Sequence, residues 1–327
     1  MSSNSFITIG SRGSALALWQ ANFVADLLKK LNIESKIKII QTSGDKIQDR
    51  FLNEIGGKGL FIKELELALA SGEVDVAIHS LKDVPVSLPE QFELAAVLPR
   101  HSASDLLLLH PKNKAFIAQN KNFLSAEFFK RHKNLRIATG SLRRQALLKA
   151  CAAETITIPI RGNVDTRIQK LIASDWDALI LAKASLDRLK IDTVPTCELD
   201  SSWFIPAPAQ GALALESLKN SPFKKVFQKL ECPDTRYAIE VERTVLRILG
   251  GDCTLPFSCY VSNKKDNLWT AKAAIFDLLG GESLAHFEWF DKQDAASIAN
   301  RIIEILLNHG ANQILKNLKL PPIELPS

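Results

Sequence analysis

Five cysteines, at positions 151, 197, 232, 253 and 259, are too few and too scattered to frame a fold with disulfides. Their number is odd, no two form a CxxC pair and none has zinc-type spacing, so the sequence predicts reduced thiols and no metal centre. Long apolar runs are missing as well. The four leucines at 106–109 fall far short of the roughly 20 residues a spanning helix needs. The opening MSSNSFITIG has no basic segment and no apolar one behind it, which predicts a chain without a secretory signal. Internal repeats, low-complexity tracts and a complete nucleotide-binding motif are also lacking. These absences exclude a disulfide-framed, repeat-built or membrane-spanning protein and predict a cytoplasmic one.

What is present is ordinary in bulk. Hydrophobic residues make up 46% and charged residues 24% of 327 positions, a length that predicts two or three domains. The formal net charge of +5 is mild, so the placement of the cations matters more than their sum. ITIGSRGSALALWQANFVADLLKKL reads as strand, loop and helix, with Leu16, Trp19, Phe23 and Leu27 at helical spacing. IKIIQ is a strand. The loop after it, with Gly56, Gly57 and Gly59, has the composition of a mobile flap. LFIKELELALASG is a helix stopped at Gly72, and VDVAIHS is the next strand. From DLLLLH onward, LRIA, TITIPI and DALILA are short apolar runs separated by the helical patterns SLRRQALLKACA and VDTRIQKLIASD. Such alternation predicts α/β units around parallel strands. FIPAPAQGALALE is predicted to lead the chain back into the first domain. Beyond about residue 222 two helix-like segments, GGDCTLPFSCYV, the hairpin turn SNKKDN, the strands LWTAKAAIF and SLAHFEWF and a closing helix read as α+β.

In open α/β sheets ligands bind beyond the carboxyl ends of the strands, where loops enter helices. Position alone therefore selects candidates. Arg12 and Ser14 follow the first strand; Ser80, Lys82 and Asp83 follow DVAI. Thr139, Gly140, Ser141, Arg143 and Arg144 follow LRIA, while Arg161, Gly162, Asn163 and Arg167 follow TITIPI. Lys183 and Arg188 follow DALILA. Cations, hydroxyls and glycine-bared amides recur at five strand ends, which predicts a cleft for a ligand with several carboxylates. Arginine suits that ligand, because its planar fork pairs bidentately with a carboxylate.

Each residue also has a plainer reading. Arg143 and Arg144 taken alone fit the solvated face of a helix. Arg161 and Arg167 could pair on the surface with Asp165 or Asp175. His79 fits a hydrogen-bonded strand residue better than a metal ligand. Asp83 is a lone carboxylate among cations; in an extended run Lys82 and Asp83 would face opposite sides, whereas a turn before Pro85 brings both to one rim. It could hold a substrate ammonium or a developing cation, or be a structural salt bridge. Cys253, in the glycine-rich GGDCTLP, could be a covalent attachment point or an inert thiol.

SRGSALAL, GGKGLF, HSLKDVP, GSLRRQ, RGNVDTR, LAKASLDRL, PAPAQG and GGDCTLP occur in the order and spacing of the porphobilinogen deaminase (hydroxymethylbilane synthase) family, which the chain resembles from about residue 7 to 260. The resemblance implies an α/β protein: two lobes like those of periplasmic binding proteins and a smaller C-terminal α+β domain. Domain 1 would span 1–100 and 200–222, domain 2 101–199, and domain 3 223–327. The implied reaction joins four porphobilinogen molecules head to tail, with loss of ammonia, into hydroxymethylbilane. The implied cofactor is a dipyrromethane held by a thioether, by motif on Cys253. Asp83 matches the catalytic aspartate, which would position the substrate amino group and stabilise the cationic azafulvene. Arg12, Ser14, Ser80, Lys82, Thr139, Ser141, Arg143, Arg144, Arg161, Arg167, Arg188 and Gln210 match positions that bind cofactor and growing chain, and Phe61 the position that stacks near the cofactor. The resemblance further implies a monomer.

Three motifs depart from the family pattern: Asp252 directly precedes Cys253, Ala209 replaces a glycine, and Ala138 and Gly140 stand where glycine and serine are common. Cys259 is a second thiol six positions on. A non-catalytic cytoplasmic two-lobed receptor for a polycarboxylate is the rival reading; Asp83 and Cys253 would have no purpose in it. A nucleic-acid protein should show a basic stripe with stacking aromatics, where this chain has single cations at strand ends.

Overall fold

The computed structural model describes residues 6–42, 62–113, 123–251, 255–277 and 280–324. The chain divides into two compact units, Met1–His101 with Ala212–Arg236 and Ser102–Gly211 with Tyr237–Ser327. No described helix is long and apolar enough to cross a membrane.

The first unit is built on a five-stranded sheet. Strands β1 (Ile7–Ser11), β2 (Ser35–Ile39) and β3 (Val76–Ser80) run parallel, and β4 (Phe92–Val97) lies on the far side of β11 (Leu213–Leu218). β11 is antiparallel to both β3 and β4, so the chain returns more than a hundred residues later to complete the sheet. Alternation decides which face each residue serves. Ile7, Ile9, Val76 and Ile78 pack with Ala21, Val24 and Leu28 of helix α1 (Ala15–Lys30), in a core that also takes Phe227 of the short α7 (Lys224–Gln228). Ala77 points the other way, into Leu65, Ala68 and Leu69 of α2 (Lys63–Ala70). β1 and β3 are covered on both faces and buried almost throughout, whereas the edge strand β2 is partly exposed. Fully burying each such aliphatic side chain contributes about 1.5–3 kcal/mol.

The second unit holds a six-stranded mixed sheet in the order β6-β10-β5-β9-β7-β8, with the two-residue β6 (Phe123–Leu124) at one edge. β7 (Arg136–Ala138), β8 (Ile156–Ile158) and β9 (Ala178–Ala182) are parallel, as the sequence pattern predicts. β5 (Asp105–Leu109) runs antiparallel to β9, and β10 (Thr196–Leu199) antiparallel to β5. Three helices follow the parallel strands: α4 (Leu142–Cys151), α5 (Val164–Ile172) and α6 (Lys183–Leu189). The shorter α3 (Ala126–Arg131) precedes β7 and buries Phe128 and Phe129. In the same unit β12 (Phe257–Asn263), β13 (Leu268–Phe276) and β14 (Glu282–Phe290) form an antiparallel meander. One face packs on α8 (Pro233–Ile248) and α9 (Ala295–Asn308), while Ala274 and Phe276 join the core of the six-stranded sheet. A last helix, α10 (Ala311–Asn317), follows Gly310 and is not anticipated by the sequence reading.

The substitution of alanine for glycine at 209 has a visible cost. Ala209 adopts φ +61°, in the left-handed region, and is buried. Its N–H donates to Glu242 Oε2 at 2.6 Å, and Val261 N–H donates to Glu242 Oε1 at 2.8 Å. The buried Glu242 carboxylate thus ties the PAPAQG segment to β12 and holds Ala209 in place. Restoring glycine should remove the Cβ strain and raise unfolding stability by about 0.5–1 kcal/mol. Chemical denaturation of Ala209→Gly checks this; an unchanged or lower midpoint would contradict the strain.

Candidate active site

In the first unit the neighbouring ends of β1 and β3 carry the residues the sequence singles out. Ile9 and Gly10 pair with Val76 and Ala77, so Arg12 and Ser14 leave the sheet beside Ser80, Lys82 and Asp83. Ser14 has a second duty: its Oγ accepts from Ala17 N–H at 3.4 Å and caps α1, a contribution of about 1 kcal/mol in typical helices. The strand does not stay extended past Ser80. Leu81–Asp83 form a single 3-10 turn, with Val84 N–H donating to Leu81 O at 3.2 Å. Leu81 is fully buried, Lys82 half-buried and Asp83 exposed. Leu81 N–H donates to Ala212 O at 3.1 Å, and Gln20 Nε2 donates to Ser80 Oγ at 2.8 Å. The turn that carries Asp83 is therefore pinned by backbone, side chain and core together.

Beneath that turn lies a buried acid–base pair that the sequence reading did not assign. His79 Nε2 stands 2.7 Å from Glu216 Oε2, on the adjoining antiparallel strand, with the side chains 6% and 0% exposed. Glu66 on α2 faces the same pair. Burial and then the Glu216 carboxylate raise the Glu66 carboxyl above its ordinary value, with His79 opposing.

In the second unit the parallel strands β7, β8 and β9 again discharge cations. Thr139 is buried, and its Oγ1 accepts from Ser141 N–H at 3.3 Å. Ser141 Oγ accepts from Arg144 N–H at 3.4 Å, capping α4. Gly140 allows close packing: a Cβ there would stand 2.6 Å from Ile160 O. Arg143 and Arg144 are not a solvated helix face. They are 4% and 6% exposed and converge on Asp105, which is fully buried. Arg143 Nη2 donates to Asp105 Oδ2 at 2.6 Å and Nη1 to Ile205 O at 2.6 Å. Arg144 donates to Asp105 Oδ1 through Nε (3.1 Å) and Nη2 (2.7 Å), and through Nη1 to Ile180 O (2.9 Å). Gln210 Nε2 donates to Asp105 Oδ1 at 3.0 Å and to Ala103 O at 2.6 Å. Burial lowers the Arg143 pKa, an effect Asp105 opposes.

Arg188 is buried on α6 and donates through Nη2 to Gly211 O at 2.7 Å; burial brings its pKa down to about 10, with Asp187 opposing. Arg167 Nε donates to Gly162 O at 2.7 Å, which folds the side chain back over the β8–α5 loop. Arg161 is half-buried in that loop, where its carbonyl accepts from Lys170 Nζ at 3.1 Å. Asp175 pairs with Arg136. Lys183 pairs with Asp187 one turn along α6.

Phe61, the glycines at 56, 57 and 59, Asp252 and Cys253 lie outside the described residues. Of the other thiols, Cys259 is fully buried in the core beneath the meander. Cys197 is buried and Cys151 half-buried, and burial pushes both thiols up. Cys232 is half-buried and accepts from Thr235 Oγ1 at 3.3 Å. Asp105 is the residue that sequence reasoning missed. Its one signal is an acid placed at the head of an otherwise wholly apolar strand.

Residues 7–224 match the family model described as "Porphobilinogen deaminase, dipyromethane cofactor binding domain". Among similar proteins, the porphobilinogen deaminase of Helicobacter acinonychis is 38% identical over 320 residues, covering 96% of this chain and 99% of that one. That of Lawsonia intracellularis is 37% identical over 315 residues, 95% of this chain and 98% of its own. Among solved structures, a probable amino-acid ABC transporter extracellular-binding protein from Bacillus subtilis has a partial likeness. Its TM-score is 0.39 at 14% identity, over 69% of this chain and 90% of that one.

The raised Glu66 carboxyl fixes the sign of a pH effect. A carboxyl that binds its proton more tightly in the folded chain contributes stability that is present below the ordinary value of 4.5 and lost as pH rises through the folded value. Glu66→Gln should therefore raise the denaturation midpoint near neutral pH and leave it unchanged below that ordinary value. Urea titrations at both pH values check it; a midpoint lowered near neutrality would contradict the reading.

Proposed function

The chain belongs to the porphobilinogen deaminase family, and from that membership we infer that it joins four porphobilinogen molecules head to tail, releasing ammonia, to give hydroxymethylbilane. The observation that carries this reading is a family match over residues 7–224, with relatives near 38% identity along almost the whole chain. The dipyrromethane cofactor of the family, when bound through a cysteine thioether, supplies the primer on which the tetrapyrrole is built.

The donor set in the second unit fits such a group. Thr139, Arg143, Arg144, Arg188 and Gln210 are all buried, a cationic and hydrogen-bonding surround for acetate and propionate groups. Arg143 Nε is buried and has no hydrogen-bond partner among the described residues, an unsatisfied N–H that a ligand oxygen would satisfy. We propose Arg12, Ser14, Ser80, Lys82, Ser141, Arg161 and Arg167 as further ligands of those carboxylates, and Phe61 as the ring that stacks near the cofactor. Several charge-assisted hydrogen bonds, each worth on the order of 1.5–3 kcal/mol, would hold a polycarboxylate firmly. Cys253 is the proposed anchor. The four described thiols are buried or half-buried, and Cys259 is a core residue, which supports Cys253 over its neighbour.

Asp83 is the proposed catalytic residue. An exposed carboxylate on a pinned turn can hold a substrate ammonium and then stabilise the cation left as ammonia departs. A cytoplasmic monomer, working on a small molecule without nucleic acid, and the three-domain division at residues 100, 200 and 222 complete the proposal. The family's activity is favoured over a binding role by Asp83, since a receptor for a polyanion gains nothing from an exposed carboxylate beside its cations.

Intact mass of the denatured protein beside Cys253→Ser should show an excess of two linked pyrrole units that the variant lacks. An excess kept in the variant would move the anchor, and none even after porphobilinogen is added would favour the binding reading. Asp83→Asn should keep the fold and the cofactor mass while kcat falls about 10²-fold or more. Turnover at the unaltered rate in that variant would sink the assignment of Asp83.

A further inference from the structure

The geometry points to Asp105 as the positioning residue of the site, the group that sets the forks of Arg143 and Arg144 in the conformation that takes ligand carboxylates. This rests on the carboxylate-binding reading of the two arginines. Asp105 opens β5, and its register opposite Ala182 places it where β9 ends. β9 lies between β5 and β7 in the sheet, so Asp105 shares an edge with the loop that starts α4. Three side chains from two distant segments meet on its two oxygens: Arg143 on Oδ2, Arg144 and Gln210 on Oδ1.

Charge explains why a carboxylate is needed there. Arg143 and Arg144 are consecutive and both almost fully out of water, where like charges repel strongly. One buried anion between two cations offsets that repulsion and leaves one positive charge for a ligand. Geometry explains what it does beyond charge. The remaining forks go to Ile205 O and Ile180 O, so both guanidinium groups are fixed in plane and direction. Of the six guanidinium nitrogens, Arg143 Nε has no hydrogen-bond partner among the described residues. Asp105 thus orders two long side chains before a ligand arrives, and the entropy of fixing them is not charged to binding. An ion pair that only held the fold together would have no reason to leave a buried N–H of Arg143 unused.

A double-mutant cycle tests this on the cofactor-loaded enzyme. Asp105→Asn, Arg143→Gln and the double variant are compared by the fraction of chains carrying the cofactor mass, and by KM and kcat for porphobilinogen per loaded chain. Positioning predicts that Asp105→Asn lowers the loaded fraction and raises KM about tenfold, and that the double variant is no worse than Arg143→Gln alone. Effects that multiply, or unaltered loading and KM in folded Asp105→Asn, overturn it. Normal loading and kinetics in Arg143→Gln would instead overturn the carboxylate-binding reading beneath it. Should Asp105→Asn not fold, Asp105→Glu replaces it. That variant keeps the charge and displaces it by one methylene, so positioning predicts the same rise in KM, and an unaltered KM refutes it.

Discussion

Two guanidinium groups on consecutive residues cannot both be kept out of water without an anion against them, and in the second unit that anion is the fully buried Asp105. Much of the local architecture follows from this constraint. β5 must run antiparallel to β9 for its first residue to arrive at the edge where β7 and β9 end. Gln210 must come back to the same spot, which places the PAPAQG segment beside β5. That segment is in turn held by Glu242, whose oxygens accept two backbone N–H groups. Buried carboxylates are costly in isolation, and these two are fully buried because donors reach them from more than one segment.

The first unit meets a similar constraint in a different way. There, too, a buried carboxylate sits on the antiparallel strand, Glu216 on β11, against a parallel strand that carries proposed site residues at its end. Its partner is an imidazole, and Glu66 adds a second acid to the group. Both units thus combine parallel strands, whose ends face loops and helices, with a neighbouring antiparallel strand that contributes a buried acid. The parallel strands provide the exits; the antiparallel one provides the electrostatic backing.

Strand ends were legible because apolar runs of four to six residues stop abruptly at polar ones, and because α/β alternation says which end matters. The parallel set at Arg136–Ala138, Ile156–Ile158 and Ala178–Ala182 shows this. Less was legible wherever a residue's role depends on what reaches it from far along the chain. Asp105 is 38 residues from Arg143 and 105 from Gln210, so no local pattern announces their meeting. Ser14 and Ser141, proposed above as ligands, are also helix caps, a duty their place before a helix could have announced. The solvated-face reading of Arg143 and Arg144 failed for the same reason as Asp105 was missed: their counter-ion lies on another element.

Leu81 gives the short turn after β3 its character. A fully buried side chain at the start of a three-residue turn, with its own N–H held by Ala212, makes that turn a post rather than an arm. An acid mounted on a post cannot follow a lengthening ligand. If Asp83 is the catalytic residue proposed above, it would serve whichever ring is brought to it, and successive additions would call for translation of the growing chain past a stationary carboxylate.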